Sequence, residues 1–311
     1  MLNRRRFIQD ASLAAGSILL GPSLLQANDA AASVKRLTIL HTNDMHSRID
    51  PFPMDGGRNQ GLGGVAARAQ LISEIRKQEE NVLLLDAGDI FQGTPYFNFY
   101  HGEPELRAMS AMNYDAATIG NHDFDAGIEN LALQVKQHAR FPMLISNYDF
   151  TNTPMEYNYK PWQIIRKGGL KIGVFGIGIR LEGLVPKLLY GNTVYLDPVV
   201  KANETAARLK QEKCDLVVCL SHLGYKYQED KISDVILAKN SENIDLIIGG
   251  HTHSFLDAPV VVKNKNNNDV IINQVGWGGI ILGRLDYFFD AKKNKKIRSA
   301  TSISVTKKSS E

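Results

Sequence analysis

Five short turns in this chain carry the residue types that bind metal ions and transfer protons. Each turn follows an apolar run typical of a buried strand. The turns are Asp44-Met45-His46, Gly88-Asp89, Gly120-Asn121-His122-Asp123, Ser221-His222 and Gly250-His251-Thr252-His253. A single turn of this kind is equally compatible with an ordinary polar loop. Five of them predict a site, because ligands in α/β proteins bind at the carboxyl ends of strands.

The chemistry of these side chains favours divalent metal ions. Oxygen and nitrogen ligands without a thiolate indicate Mn²⁺, Zn²⁺, Fe²⁺ or Co²⁺ rather than a structural zinc finger. Two such ions roughly 3.5–4 Å apart stabilise both the attacking and the leaving oxygen of a phosphoryl displacement, and a water between them supplies hydroxide near neutral pH. We therefore predict a site for two divalent metal ions, whose identity the sequence does not fix.

The elements that must position these turns alternate between strands and helices. Apolar strands are predicted at 36–41, 82–85, 115–119, 142–146, 216–220 and 244–248, and helices at 63–77, 103–112, 127–138, 199–212 and 230–238. Antiparallel strands are predicted at 157–166 and 170–177 and from residue 259 to residue 305. This alternation is typical of layered α/β folds. We predict one α/β domain, a four-layer α/β/β/α sandwich with two mixed sheets flanked by helices.

Residues 1–32 have the composition of an export signal. Three arginines, Arg4 to Arg6, precede an apolar stretch from Ala11 to Leu25, and alanines 30–32 offer a cleavage site. The stretch is too short and too rich in glycine and serine for a stable membrane span. Its beginning resembles the twin-arginine signal, with an ordinary secretory signal or an uncleaved anchor as the alternatives. We predict a periplasmic or otherwise exported protein whose catalytic domain covers residues 33–311.

Composition narrows the classes of partner. The 311 residues carry a formal net charge of +3, part of which belongs to the predicted signal. The nearly neutral remainder argues against a nucleic-acid partner and disfavours a nuclease. The two cysteines, Cys214 and Cys219, are predicted to lie buried and unbridged in one strand.

In chain order, the five turns resemble the calcineurin-like metallophosphoesterase pattern. The longer stretches Leu40–His46, Asp86–Pro95 and Gly120–Asp125 resemble its 5′-nucleotidase and UDP-sugar hydrolase branch, and the resemblance covers about residues 37–290. It implies one metal ion held by Asp44, His46, Asp89 and His253. It implies a second ion held by Asp89, Asn121, His222 and His251, with Asp89 bridging the two.

The same resemblance implies roles for residues next to the ligands. His122 would stabilise charge on the phosphoryl oxygens, and Asp125 would orient its imidazole. His253 stands where some members of the branch have glutamine. The remaining polar residues of the turns stay open: Asn43 and Asp123 either support the ligands or cap turns, and His41 is expected to pack behind the site. The aromatic residues Tyr96, Phe97, Phe99 and Tyr100 favour core packing over a surface beside the site.

Members of this branch usually carry a C-terminal domain whose arginines and phenylalanines bind the nucleotide, and the sequence up to Glu311 is expected to lack it. The leading hypothesis is an exported two-metal phosphohydrolase acting on phosphomonoesters, with nucleotides favoured as the small-molecule phosphate ester. One alternative is a phosphodiesterase acting on 2′,3′-cyclic nucleotides or UDP-sugars. Another is a catalytic half that needs a separately encoded nucleotide-recognition chain.

Overall fold

The computed structural model describes residues 34–292 and 294–306, with the side chain of Arg298 excepted. The predicted export signal lies outside this range. Within it, no helix has the length and apolar character needed to cross a membrane.

In the described part of the chain, two larger sheets and a short two-stranded sheet account for the strands. The strands are β1 (Lys35–Thr42), β2 (Val82–Asp86), β3 (Ala116–Ala117), β4 (Tyr148–Asp149), β5 (Trp162–Lys167), β6 (Leu170–Ile177), β7 (Val194–Tyr195), β8 (Leu216–Ser221), β9 (Leu246–Gly249), β10 (Val260–Lys263), β11 (Asp269–Asn273), β12 (Ile281–Phe289) and β13 (Lys295–Ser304). The first sheet has the order β13-β12-β1-β2-β3 and the second has the order β10-β11-β9-β8-β6-β5, while β4 pairs with β7. Both larger sheets mix parallel and antiparallel neighbours.

Helices cover the outer faces of the two larger sheets. They are α1 (Val65–Gln78), α2 (Pro95–Tyr100), α3 (Glu103–Ala111), α4 (Ile128–His138), α5 (Lys187–Tyr190), α6 (Pro198–Gln211) and α7 (Asp234–Lys239), and a 3₁₀ turn spans His122–Phe124. The helix α6 begins at a side-chain cap, because the Asp197 carboxylate accepts hydrogen bonds from the backbone of Val199 and Val200.

Alternation along the strands explains the layers. In β2, Leu83 and Leu85 belong to a core between the two sheets, whereas Leu84 belongs to a core shared with α1, α3 and α4. In β8, Val218 faces the first sheet and Val217 faces α6 and α7. Successive side chains of a strand point to opposite faces. A strand that is apolar throughout therefore contributes to one core on each side of its sheet. Three cores between four layers confirm the predicted α/β/β/α sandwich.

The predicted strand at 142–146 does not form. Residue 143 makes an isolated bridge to Ala117 of β3, and Leu144 bridges to Lys160. Two residues later, the backbone N–H of Ser146 donates to Gly176 of β6. This segment therefore crosses from the edge of the first sheet to the second. Its hydrogen bonds are divided between several partners, so no continuous ladder is possible despite the apolar sequence.

Other boundaries differ by a few residues. The strand predicted from residue 157 begins at Trp162, directly after a proline, and the helix predicted from residue 230 begins at Asp234, where Ser233 caps it. Helices α2 and α5 and the short strands β4 and β7 were not predicted. Both cysteines are buried and free as predicted, although Cys214 precedes β8 and only Cys219 lies within it.

The buried Asp286 carboxylate, on β12 and in contact with Thr38 of β1, should make the stability of the fold depend on pH. Burial alone would raise the pKa of Asp286, but hydrogen bonds from Arg36, Thr38, Ser299 and Arg284 lower it to about 2. The charged form therefore stabilises the fold above the usual pKa near 3.8, and this contribution is lost as pH falls towards 2. We expect Asp286→Asn to destabilise the protein by about 1–2 kcal/mol at pH 6 and by much less at pH 2. Urea unfolding of both proteins between these pH values checks this, and a constant difference would contradict it.

Candidate metal centre

The seven predicted ligands converge because their turns follow neighbouring parallel strands. Strands β1, β2 and β3 of the first sheet precede the turns at Asp44, Asp89 and Asn121, and β8 and β9 of the second sheet precede those at His222 and His251. The structure forms two triads whose ligand atoms lie within 4.8 Å of one another: Asp44, His46 and His253, and Asp89, His222 and His251. The carboxyl ends of both sheets thus meet at one site.

The ligand turns have a strained backbone. Five of the seven predicted ligands have positive φ angles between 47° and 71°: Asp44, His46, Asp89, His251 and His253. This left-handed conformation costs about 1–2 kcal/mol for a residue with a side chain. Strain concentrated at one place is typical of functional sites, where the surrounding structure holds it.

The turn at Gly120 requires glycine. Its α-carbon lies so close to the Asp89 turn that an added Cβ atom would overlap the Asp89 carboxylate and backbone nitrogen. Any larger residue there would push the Asp89 and Asn121 turns apart. The glycine therefore allows two ligand turns to approach each other.

In the first triad, a hydrogen bond orients the imidazole of His46. Its Nδ1 lies 3.2 Å from the carbonyl oxygen of Gln92, and its Nε2 lies 3.0 Å from Nε2 of His253 and 3.8 Å from the Asp89 carboxylate. Because Nδ1 must donate to the carbonyl, Nε2 presents a lone pair to the cluster. Burial is the main cause that lowers the pKa of His46, so the imidazole is neutral near pH 7.

The second triad contains a buried imidazole facing a buried carboxylate. His222 donates from Nδ1 to the carbonyl oxygen of Ala87 (2.7 Å), and its Nε2 lies 3.0 Å from Asp89 Oδ2. Burial opposes charge on both groups, yet their mutual attraction raises the pKa of His222 and lowers that of Asp89. The pair therefore favours a positive charge between His222 Nε2 and Asp89 Oδ2, either a proton or a metal ion.

His251 completes this triad beside an amide. Its Nδ1 lies 2.8 Å from Oδ1 of Asn121, and its backbone N–H donates to the Asp44 carboxylate. Burial, followed by the neighbouring His222, lowers the pKa of His251 to about 4. The neutral imidazole is the form that binds a metal ion.

The donor set fits two divalent cations. Asp44 and Asp89 are at most 1% exposed, and among the described residues their ion-pair partners are all histidines. Two buried carboxylates without a lysine or arginine are costly unless cations compensate them. Neutral imidazole nitrogens, carboxylates and one amide oxygen are ligands that suit Mn²⁺, Zn²⁺, Fe²⁺ and Co²⁺.

His122 and Asp125 form a pair at the more exposed side of the site. His122 Nδ1 lies 2.8 Å from Asp125 Oδ2, and the side chains are 39% and 27% exposed. The hydrogen bond with Asp125 is the main cause that raises the pKa of His122. The backbone N–H of His122 donates to Asp89 Oδ1, and its ring centroid lies 5.3 Å from that of His46. An imidazole whose raised pKa favours its charged form thus borders the cluster.

Asp123 and Asn43 support the ligand turns. The Asp123 carboxylate is buried and accepts hydrogen bonds from the backbone of Gly120 and of residues 89–91, which ties two ligand turns together. Asn43 donates to the Asp44 carboxylate at 2.6 Å. His41 is fully buried behind the site beside Asn273, and burial lowers its pKa to about 3.

The four aromatic residues after the second ligand turn do not share one environment. Phe97 is buried and stacks on Phe91, whereas Phe99 and Tyr100 are exposed. The expected core packing therefore holds for Phe97 only. Sequence reasoning also overlooked Gln274 and Trp277, which contact the turn that carries His251 and His253. Neither residue has a motif that singles it out.

Residues 37–255 match the family model described as calcineurin-like phosphoesterase. A snake venom 5′-nucleotidase from Crotalus adamanteus is 33% identical over 309 residues, covering 92% of this chain and 50% of its own length. The chain therefore spans about half the length of the curated relatives it matches.

Two solved structures show the same architecture. The 5′-nucleotidase precursor from Thermus thermophilus has a TM-score of 0.78 and 31% identity, over 88% of this chain and 55% of that one. The calcineurin-like phosphoesterase YfkN from Bacillus subtilis has a TM-score of 0.72 and 27% identity, over 88% of this chain and 92% of that one.

Proposed function

Because this chain belongs to the calcineurin-like phosphoesterase family, we propose that it hydrolyses phosphomonoesters with two divalent metal ions, and that nucleoside monophosphates are its substrates. The observation that carries the proposal is the convergence of two ligand triads on the buried Asp89 carboxylate. Its similarity to proteins named as 5′-nucleotidases supports nucleoside monophosphates as the substrates.

The proposed ligand assignment follows the two triads. Asp44, His46, Asp89 and His253 would hold one ion, and Asp89, Asn121, His222 and His251 the other. Two bound ions would lower the pKa of a water molecule and polarise the phosphoryl group. The chain fixes the geometry of these ligands by hydrogen bonds. The carbonyl oxygens of Gln92 and Ala87 orient His46 and His222, and the Asp123 carboxylate holds the Asp89 turn.

His122 and Asp125 would act on the substrate oxygens. Since Asp125 occupies Nδ1 of His122, Nε2 is the nitrogen available to the substrate. The raised pKa favours the charged imidazole near neutral pH, which can donate to a phosphoryl oxygen or to the leaving oxygen. Asp125 would hold the ring in place.

Replacing Asp125 by asparagine is expected to lower kcat for a nucleoside monophosphate by about 10- to 100-fold, because it weakens the orientation and charge of His122. Bound metal should stay the same, since Asp125 belongs to neither triad. Steady-state kinetics together with metal analysis check this. The exposed Glu129→Gln in α4 is the matched control. A parallel loss of metal would contradict a role on the substrate side.

A substrate panel on metal-reconstituted protein tests the proposed function. With Mn²⁺ or Zn²⁺, kcat/KM for a nucleoside monophosphate should exceed that for a 2′,3′-cyclic nucleotide or a UDP-sugar by at least about tenfold. A preference for either diester would replace the monoesterase with the phosphodiesterase. Hydrolysis of none of the three would reject both as activities of the isolated chain.

Two further proposals concern the context of the chain. We propose export through the arginine-rich segment at residues 1–32, which intact-mass analysis of the protein from its native compartment tests by the loss of that segment. We also propose, from the resemblance alone, that a separately encoded chain contributes to nucleotide recognition, since members of this branch usually bind the nucleotide with a second domain. Full nucleotide turnover by the isolated chain at micromolar substrate would remove the second proposal.

A further inference from the structure

The segment Gln274–Gly278, which follows β11, contacts the turn that carries one histidine of each triad, without supplying a predicted ligand. The side chain of Gln274 is fully buried. Its Nε2 donates to the carbonyl oxygen that precedes His251, and its Oε1 accepts from the Thr252 hydroxyl (3.1 Å) and from the backbone N–H that follows His253 (2.6 Å). Gln274 therefore holds the turn at three points: before His251, between His251 and His253, and after His253.

Trp277 and Gly278 of the segment contact two residues of the first triad, His253 and Asp44. The indole ring of Trp277 stacks on the imidazole of His253, with centroids 5.8 Å apart and planes 14° apart. The backbone N–H of Gly278 donates to the carbonyl oxygen of Asp44 (2.7 Å). The segment is therefore in contact with two of the three residues of that triad.

We propose that Gln274 and Trp277 are positioning residues that set the metal affinity of both triads through the His251–His253 turn. The two histidines of this turn belong to different triads, and both have positive φ angles. The hydrogen bonds that Gln274 donates and accepts hold the strained turn, and Trp277 fixes the plane of the His253 ring. Relaxation of the turn would misplace one ligand in each triad. The inference rests on the proposed two-metal function.

Cobalt binding tests this inference without measuring activity. The chain has two tryptophans, so a Trp162→Phe background leaves Trp277 as the only one. Titrating metal-free protein with Co²⁺ should quench Trp277 emission as His253 binds the ion, and visible absorption reports the coordination. Gln274→Met keeps an unbranched side chain of similar length and removes all three hydrogen bonds. Its half-saturating Co²⁺ concentration should rise by about 10- to 100-fold for both ions.

Two further variants separate positioning from general destabilisation. Gln134→Met removes another buried glutamine, in α4 beside Asn130, and should leave Co²⁺ binding unchanged. Trp277→Leu should weaken Co²⁺ binding, read by visible absorption, by about 2- to 10-fold. Trp277→Phe should restore part of the affinity because it keeps an aromatic face against His253. Trp277 is half-buried, so its variants serve if Gln274→Met does not fold.

The outcomes distinguish this inference from the proposed function. If the wild-type protein binds no Co²⁺, the two-metal function itself fails. If the wild type binds two ions and folded Gln274→Met binds them with unchanged affinity, only the positioning role is overturned. A variant that melts earlier but keeps its Co²⁺ affinity below the melting temperature has the same meaning, because a purely structural residue would behave in that way.

Discussion

Replacing Asp89 with asparagine is expected to reduce kcat/KM for a phosphomonoester by about 10³-fold, since metal ions contribute several kcal/mol of transition-state stabilisation. Asp89 Oδ2 lies 3.0 Å from Nε2 of His222 and 3.8 Å from Nε2 of His46, so this carboxylate borders both triads. Asparagine keeps the shape and an acceptor for the His122 N–H, but removes the negative charge that both ions would share. Kinetics with saturating metal measure the loss.

Asp115→Asn provides the matched control for this variant. Asp115 immediately precedes β3, where its carboxylate accepts from the backbone N–H of Leu84 and pairs with Lys167. It lies at the amino end of the strand, whereas the ligand turns follow the carboxyl ends. Its replacement should leave activity within a few-fold of wild type. Activity of Asp89→Asn close to that of the control would rule out Asp89 as a shared ligand.

Removal of metal is expected to abolish activity and lower the melting temperature by about 5–10 °C. Ligands bound at 100 times their Kd stabilise a protein by about 2.7 kcal/mol, and each kcal/mol shifts the melting temperature of a large domain by about 2–4 °C. In the metal-free protein, the ion-pair partners of the buried Asp44 and Asp89 carboxylates among the described residues are all histidines. Thermal unfolding with and without a chelator measures the shift.

Two controls make the metal effect specific. A chelator saturated with metal beforehand should change neither activity nor melting temperature. Asp89→Asn should respond to the chelator with a smaller shift than the wild type, because fewer ions are bound. Activity that survives complete removal of metal, verified by elemental analysis, would contradict a metal-dependent hydrolysis.

The layers of the fold could be predicted because local patterns determine them. Strands such as β2 and β8 are apolar on both faces, which only a buried position between two layers explains. The ligand turns were equally visible, since each follows such a strand and presents groups with recognisable chemistry. The match to the calcineurin-like phosphoesterase family confirms the resemblance drawn from those turns.

Contacts distant in sequence could not be predicted in the same way. The segment at 142–146 has an apolar sequence that suits a strand, but its partners are Ala117 in β3, Gly176 in β6 and Lys160, which precedes β5. Gln274 lies 20 or more residues from the turn that it tethers, and Trp277 lies 24 positions after His253. A glutamine and a tryptophan after a strand have no spacing that distinguishes them from ordinary core residues.

X-ray diffraction from a crystal of the zinc-loaded protein, measured on both sides of the zinc absorption edge, tests most directly whether these side chains hold two ions. We expect two anomalous peaks roughly 3.5–4 Å apart, with Asp89 between them. Asp44, His46 and His253 should surround one peak, and Asn121, His222 and His251 the other. A single peak, or peaks away from these residues, would contradict a two-metal centre at this site.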